Sequence, residues 1–207
     1  GLPFVVWKAA GVSLLVATAS PLLLLLAALP MAAAIAQGRH NIIEVAGLLG
    51  LAASPLVIGT GLFILIRPVA DPFLLALPVT ALVNALMSLP FAMRILVPRA
   101  RDIVERYGKL GLSLDMAHGP FLWRVFLPRM RAQIGFAAGL GMALSIGDLG
   151  VITLFADPDI ATLPLQIYRL MGSYQMEAAA GGALLLLLLS VGTFWLLDRG
   201  GRYHAEV

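Results

Sequence analysis

The sequence predicts an all-α polytopic membrane protein with about five transmembrane helices. Of its 207 residues, 60% are hydrophobic and only 12% are charged, whereas about 25% of an average soluble chain is charged. The apolar residues are concentrated in five stretches, at 12–36, 45–66, 73–93, 132–155 and 178–197. This composition excludes a soluble globular domain, and with it a nucleic-acid-binding domain.

Each apolar stretch is long enough to cross a bilayer as a helix. A hydrocarbon core of about 30 Å needs roughly 20 apolar residues in helical form, and every stretch reaches that length. Backbone amides in lipid must be hydrogen-bonded within their own segment, so long apolar runs predict helices. Only one formal charge, Asp148, lies within the five stretches. We therefore expect one membrane domain over 8–200.

The basic residues predict the orientation of these helices. If the 94–131 connection faces the cytoplasm, eleven Lys and Arg residues lie inside, and only Lys8, Arg67 and Arg169 lie outside. Cytoplasmic loops carry the excess of positive charge. The sequence thus predicts an outer amino terminus and a cytoplasmic carboxyl terminus. Since an outer start without an export signal needs explaining, we expect sequence upstream of Gly1, or a processed start.

The long connection around 98–131 has apolar side chains of its own. Ile103, Tyr107 and Leu110 follow the i, i+4, i+7 spacing of an amphipathic helix, and a second apolar cluster at 121–126 follows Gly119-Pro120. The pattern predicts two short helices with a sharp turn, outside the bilayer. The residues fit a helix lying on the inner leaflet and a docking helix for a cytoplasmic partner equally well.

This connection resembles the conserved cytoplasmic loop of binding-protein-dependent ABC importer permeases. That loop reads Glu-Ala-Ala, three residues, Gly, nine residues, Ile, any residue and Leu-Pro. With Leu127-Pro128 as the anchor, Val125 stands at the Ile position, Asp115 at the Gly position and Lys-Leu-Gly (109–111) at Glu-Ala-Ala. The resemblance implies a coupling helix that docks into a cleft of an ATPase subunit. It assigns ATPase coupling to Lys109, Leu110, Gly111, Ser113, Asp115, Met116, Val125, Leu127 and Pro128.

The resemblance extends over about residues 8–198, to the C-terminal half of the thiamine-transporting members of this family. It is carried by the segments at 72–91, 144–151 and 162–174. It implies a permease of the bacterial inner membrane that forms the translocation pathway for thiamine or thiamine phosphates. A permease for iron(III) or another small solute is the alternative.

A few polar and aromatic residues are candidates for the transport pathway. Asn84 and Ser145 either line the pathway or bond across helices. Asp148 either contacts the thiazolium cation, acts in gating, or is bonded to Ser145 or to backbone amides. Tyr168 and Tyr174, in the predicted outer loop, either contact substrate or a binding protein or belong to an interfacial aromatic belt.

Other functional classes find little support in the sequence. No Gly-x-x-x-x-Gly-Lys-Ser/Thr loop is present, so ATP hydrolysis needs a separate ATPase, and no catalytic motif points to an intramembrane enzyme. His40, His118 and His204 lack metal-ligand spacing, cysteine is absent, and we expect no cofactor. The expected partners are two ATPase subunits, a periplasmic substrate-binding protein, a second permease half (fused or separate) and membrane lipid. A passive membrane scaffold is the remaining alternative.

Overall fold

The protein consists of helices joined by short connections. A computed structural model describes residues 2–38, 41–71, 74–113, 118–155 and 159–203. Its helices are α1 (Phe4–Ala36), α2 (Asn41–Ala52), α3 (Pro55–Ile66), α4 (Ala76–Ser113), α5 (His118–Phe121), α6 (Leu127–Ile146), α7 (Leu163–Gly172) and α8 (Met176–Tyr203). A π-helical segment, Leu122–Phe126, joins α5 to α6, and a 3₁₀ turn, Val151–Thr153, follows α6. The predicted all-α polytopic class is confirmed.

Four of the five predicted spans are present as long apolar helical segments, within α1, within α4, from the π segment through α6, and within α8. The second span, predicted as one helix over 45–66, is instead the pair α2 and α3, bent by 99°. The bend lies at Ser54-Pro55, where Ser54 is extended at φ −79° and ψ 134°. Proline disfavours the helical conformation in the residue before it, which ends α2. Each helix of 12 residues reaches only about 18 Å, so neither crosses the hydrocarbon alone.

The prediction for the 98–131 connection is wrong in its details. The amphipathic part is not a separate short helix but the continuation of α4, which runs unbroken for 38 residues and is about 57 Å long. Gly119-Pro120 does not break the chain, since it lies within α5, where a first-turn proline has no intrahelical hydrogen bond to lose. Residues 114–117, between α4 and α5, lie outside the described residues.

The main core lies where α1, α4 and α6 meet. It combines buried apolar side chains from 24–35 of α1, from 85–103 of α4, and from 126–137, which covers the end of the π segment and the first half of α6. The core therefore continues past the apolar part of α4 into its charged part, which begins at Arg94. We call the hairpin formed by 99–113 of α4 and 118–131 the arm, and this shared core fixes its base to the membrane helices.

Glycines bring α6 and α8 into close contact. A Cβ at Gly135 would lie 2.7 Å from the Leu197 carbonyl oxygen and 2.8 Å from Gly201 Cα. A Cβ at Gly201 would lie 2.7 Å from the Arg131 carbonyl oxygen. Because these obstacles are backbone atoms, larger residues cannot be accommodated by a change of rotamer. Small residues allow this close approach of membrane helices.

We expect Gly135→Ala to lower the free energy of unfolding by roughly 1–3 kcal/mol, the usual cost of overpacking. Gly192→Ala on α8 is the control, since no atom lies within 4 Å of its added Cβ. That control should be neutral or stabilising by up to about 1 kcal/mol, because alanine is the better helix former. Thermal unfolding of the purified protein in detergent compares the two variants, and equal midpoints would contradict the packing described.

Candidate pathway residues and coupling arm

A buried hydrogen bond joins two of the predicted pathway residues. Asn84 Nδ2 on α4 donates to Ser145 Oγ on α6 at 3.0 Å. The two residues are only 5% and 6% exposed. Both side chains therefore face the interior of this helix bundle. Their hydrogen bond is the bond across helices that was one of the two alternatives predicted for Asn84.

Asn84 belongs to a polar row on α4 that the sequence analysis missed. Thr80 and Ser88, four residues to either side, are buried as well. Thr80 Oγ1 donates to the Ala76 carbonyl at 2.7 Å, within its own helix. The four-residue spacing of Thr80, Asn84 and Ser88 could have predicted this row from the sequence, since residues four apart share one helix face.

Asp148 lies just beyond the end of α6 rather than within a helix. Its Oδ1 accepts a hydrogen bond from the Gly150 amide at 3.2 Å. Through this hydrogen bond the Asp148 carboxylate stabilises the turn that leads into the 3₁₀ segment, as aspartate does in Asx-turns. Among the described residues its buried Oδ2 has no hydrogen-bond partner. Of the alternatives anticipated for Asp148, the structure contains the bond to a backbone amide and not one to Ser145, whose hydroxyl meets Asn84.

The segment after Asp148 is anchored to α1. The Leu163 amide, at the start of α7, donates to Ser13 Oγ of α1 at 2.7 Å. Lys8 Nζ donates to the Asp159 carbonyl at 3.0 Å. A side chain from another helix therefore satisfies one of the free amides at the α7 amino terminus.

The two candidate tyrosines lie on and after α7, and both are exposed. Tyr174 is 88% exposed and has a positive φ of 60°. The Tyr174 amide donates to the Met171 carbonyl at 3.1 Å, and the Gln175 amide donates to the Leu170 carbonyl at 2.9 Å. This is the Schellman arrangement, in which glycine is the usual left-handed residue. The helix end therefore directs the Tyr174 side chain away from the bundle.

The base of the arm is held by charged side chains. Asp102 pairs with Arg99 at 2.8 Å and with Arg106 at 2.6 Å, all on α4. The Arg129 guanidinium lies 4.1 Å from the centre of the Tyr107 ring. Since Arg129 follows the turn and Tyr107 precedes it, this cation–π contact joins the two sides of the hairpin.

The predicted coupling residues occupy three different environments on the arm. Lys109 and Ser113 are exposed and Leu110 is 55% exposed, whereas Gly111 is buried against the Phe121 ring. A Cβ at Gly111 would lie 2.7 Å from Phe121 Cδ2. Val125, Leu127 and Pro128 are half-buried. Asp115 and Met116 lie outside the described residues.

Trp123 is an arm residue that the sequence analysis placed in the apolar cluster but not among the coupling residues. It is 71% exposed, although its neighbours Leu122 and Phe126 pack against the core. The π-helical segment shifts the register of the arm, and such segments are frequent at functional sites.

Among the described residues, no cluster of three or more metal-ligating side chains is present.

These features define the class of protein as an all-α polytopic membrane protein whose longest helix continues into a charged arm. The comparisons with known proteins narrow that class. The chain is 36% identical over 206 residues to the thiamine transport system permease protein ThiP of Brucella abortus, covering 98% of this chain and 38% of that protein. It is 35% identical over 159 residues to the ThiP protein of Escherichia coli, covering 77% of this chain and 30% of that protein.

A more distant relative is the sulfate transport system permease protein CysW of Synechocystis. It is 27% identical over 138 residues, covering 64% of this chain and 50% of that protein. No family model matches the chain. The chain belongs to the permeases of ABC importers and is a multi-pass protein of the inner membrane. It spans less than half the length of the ThiP relatives that it matches.

We expect a double-mutant cycle of Asn84→Ala and Ser145→Ala to give a coupling free energy of about 0.6 kcal/mol, the average for interhelical hydrogen bonds in membranes. The reason is that each substitution removes the same bond. The free energy of unfolding of the single and double variants, measured in one detergent, yields the coupling. Strictly additive effects would contradict a bond between these two side chains.

Proposed function

We propose that this chain is one half of the permease subunit of an ATP-driven importer that carries thiamine or thiamine phosphates into the bacterial cytoplasm. The observation that carries the proposal is the similarity, over nearly the whole chain, to proteins named as thiamine transport permeases. The permease domain covers 8–200. A second permease half, fused or separate, completes the pathway.

The arm is the proposed docking element for the ATPase. Its tip carries the exposed side chains of Lys109, Leu110 and Trp123, and apolar and aromatic side chains of this kind provide most of the energy of protein interfaces. A leucine, a tryptophan and basic residues are also the composition of a helix that lies on a membrane surface. The similarity to ABC importer permeases favours a protein partner over that alternative.

The construction of the arm explains how movement of its tip reaches the membrane. Because α4 is continuous from Ala76 to Ser113, a displacement of the tip rotates the membrane part of the same helix. The Tyr107–Arg129 contact and the shared core keep the two sides of the hairpin together. Closure of two ATPase subunits on ATP would thus tilt α4 and α6 as one unit.

The arm also sets the proposed orientation. A cytoplasmic ATPase requires a cytoplasmic arm, which places the first described residues on the periplasmic side and the end of α8 in the cytoplasm. The α7–α8 turn then faces the periplasm, where Tyr168 and Tyr174 are available to a substrate-binding protein or to the thiazolium cation. Within the membrane, Asn84 and Ser145 hold α4 against α6, and Asp148 shapes the outer end of α6 as a gating element.

Thiamine uptake tests the substrate. A strain lacking its own thiamine importer, supplied with the full-length permease and its ATPase and binding protein, should take up labelled thiamine in a saturable, energy-dependent manner. Unlabelled thiamine should compete, whereas sulfate and iron(III) should not. Uptake of sulfate or iron without uptake of thiamine would contradict the substrate while leaving an importer in place.

Replacing the exposed tip residues tests the coupling role. We expect the pair Leu110→Asp and Trp123→Ala to lower uptake at least about tenfold, because interface hot spots contribute about 2 kcal/mol or more each. Both side chains are exposed, so membrane insertion and protein amount should not change. Trp195→Ala on α8, also an exposed tryptophan but outside the arm, is the matched control. Normal uptake and normal ATPase association in the double variant would contradict the docking role.

A further inference from the structure

An apolar groove of about 560 Å³ lies between α1, α6 and α8. Its walls include Leu22 and Leu25 of α1, Met142 of α6, and Leu196 and Gly200 of α8. All of these residues belong to the long apolar helices that cross the membrane. The groove starts at Arg131, where the arm meets the membrane part of α6, and is separate from the Asn84–Ser145 contact.

One end of the groove carries a positive charge. Arg131 lines it directly before the apolar stretch that begins at 132, and this residue is exposed. Arg131 forms no ion pair with another described residue, while Asp102 of α4 and Asp198 of α8 are paired with Arg99, Arg106 and Arg202. The Arg131 charge is therefore available to an anion from outside the chain.

The length of the groove matches one leaflet of a bilayer. Along α6 the lining runs from Arg131 to Met142, which is about 16 Å of helix. That length is roughly half of a hydrocarbon core of about 30 Å. An apolar channel of one-leaflet length with a cation at its interfacial end has the dimensions and polarity of a phospholipid molecule.

We propose that this groove binds an anionic phospholipid, with one acyl chain between α1, α6 and α8 and the phosphate on Arg131. Basic pockets between membrane helices on the cytoplasmic side are suited to anionic headgroups. The surroundings favour lipid as well, since only 6% of the apolar window of α8 is buried. The assignment to the inner leaflet rests on the orientation under the proposed function, whereas the binding of an anionic lipid does not.

Two glycines on α8 provide a matched pair of variants. Gly200 lines the groove, Gly192 does not, and a Cβ added at either meets no atom within 4 Å. Gly200→Leu therefore adds a side chain to the groove at a position with room for its Cβ, and Gly192→Leu adds the same side chain elsewhere on the same helix. Arg131→Gln removes the cation, Arg131→Lys retains it, and Arg199→Gln removes another arginine that does not line the groove.

Native mass spectrometry of the assembled importer, purified with its full-length permease, counts the retained lipids after addition of phosphatidylglycerol or phosphatidylcholine. The wild type, Arg131→Lys, Gly192→Leu and Arg199→Gln should retain phosphatidylglycerol in preference to phosphatidylcholine. Arg131→Gln should retain at least threefold less phosphatidylglycerol, and Gly200→Leu should lose it.

Equal retention of the two lipids by the wild type, or equal retention by the Gly200→Leu and Gly192→Leu variants, would overturn the proposal. A crosslink from a cysteine at position 200 to the second permease half would overturn it too, since a helix would then fill the groove. The measurement needs neither ATP nor thiamine. A failure of lipid binding is thus distinguishable from a failure of the proposed transport function.

Discussion

The structure depends on the requirement that every backbone amide in hydrocarbon be hydrogen-bonded within the protein. An apolar stretch of sufficient length has one local solution, the helix, and α1, α4, α6 and α8 follow from it. The requirement is equally informative where the helices stop. At Ser54-Pro55 and again after Ile146 the chain leaves the helix, and in the second place Asp148 provides an acceptor for the freed Gly150 amide.

The requirement for hydrogen bonds within the protein no longer applies to groups that contact water, and α4 extends from the apolar region into the charged one. Beyond Arg94 one face of α4 carries charged residues, while the opposite face stays buried as far as Ile103. The arm is therefore neither a flexible loop nor a separate domain. Its base belongs to the membrane core, and its tip carries exposed side chains. Under the proposed function, this connection between tip and core would transmit the force of ATPase closure.

Much of this organisation could be predicted from the sequence. The apolar stretches predicted the approximate position of four spans, because length and composition decide whether a segment enters the bilayer. The continuation of α4 to Ser113 was not predictable, since amphipathic periodicity at 103–110 fits a separate helix as well as an extension. The break at Ser54 was not predictable from the proline alone, since Pro55 begins a new helix whereas Pro90 and Pro98 lie inside a continuous one.

Contacts between helices were the least accessible to sequence reasoning. The partner of Asn84 depends on the rotation of α4 and α6 about their axes, and the groove at Arg131 needs three helices that are distant in the chain. The Gly111–Phe121 approach likewise depends on how α5 packs against the end of α4. Residue type identified Asn84 and Asp148 as unusual, but only the packing separates a bond between helices from a surface open to solute.

The most direct test of the central claim, that the arm projects into the cytoplasm from a bundle of membrane helices, is the side from which each end of the bundle can be labelled. This chain has no cysteine, so single cysteines can be introduced into a full-length permease otherwise free of cysteine. Ser113 on the arm and Ser173 in the α7–α8 turn are both exposed. Cysteines at these two positions report on opposite sides of the membrane. A membrane-impermeant maleimide should label position 173 in intact cells with a permeable outer membrane, and position 113 only after the inner membrane is opened. Labelling of position 113 from the periplasmic side would contradict the account.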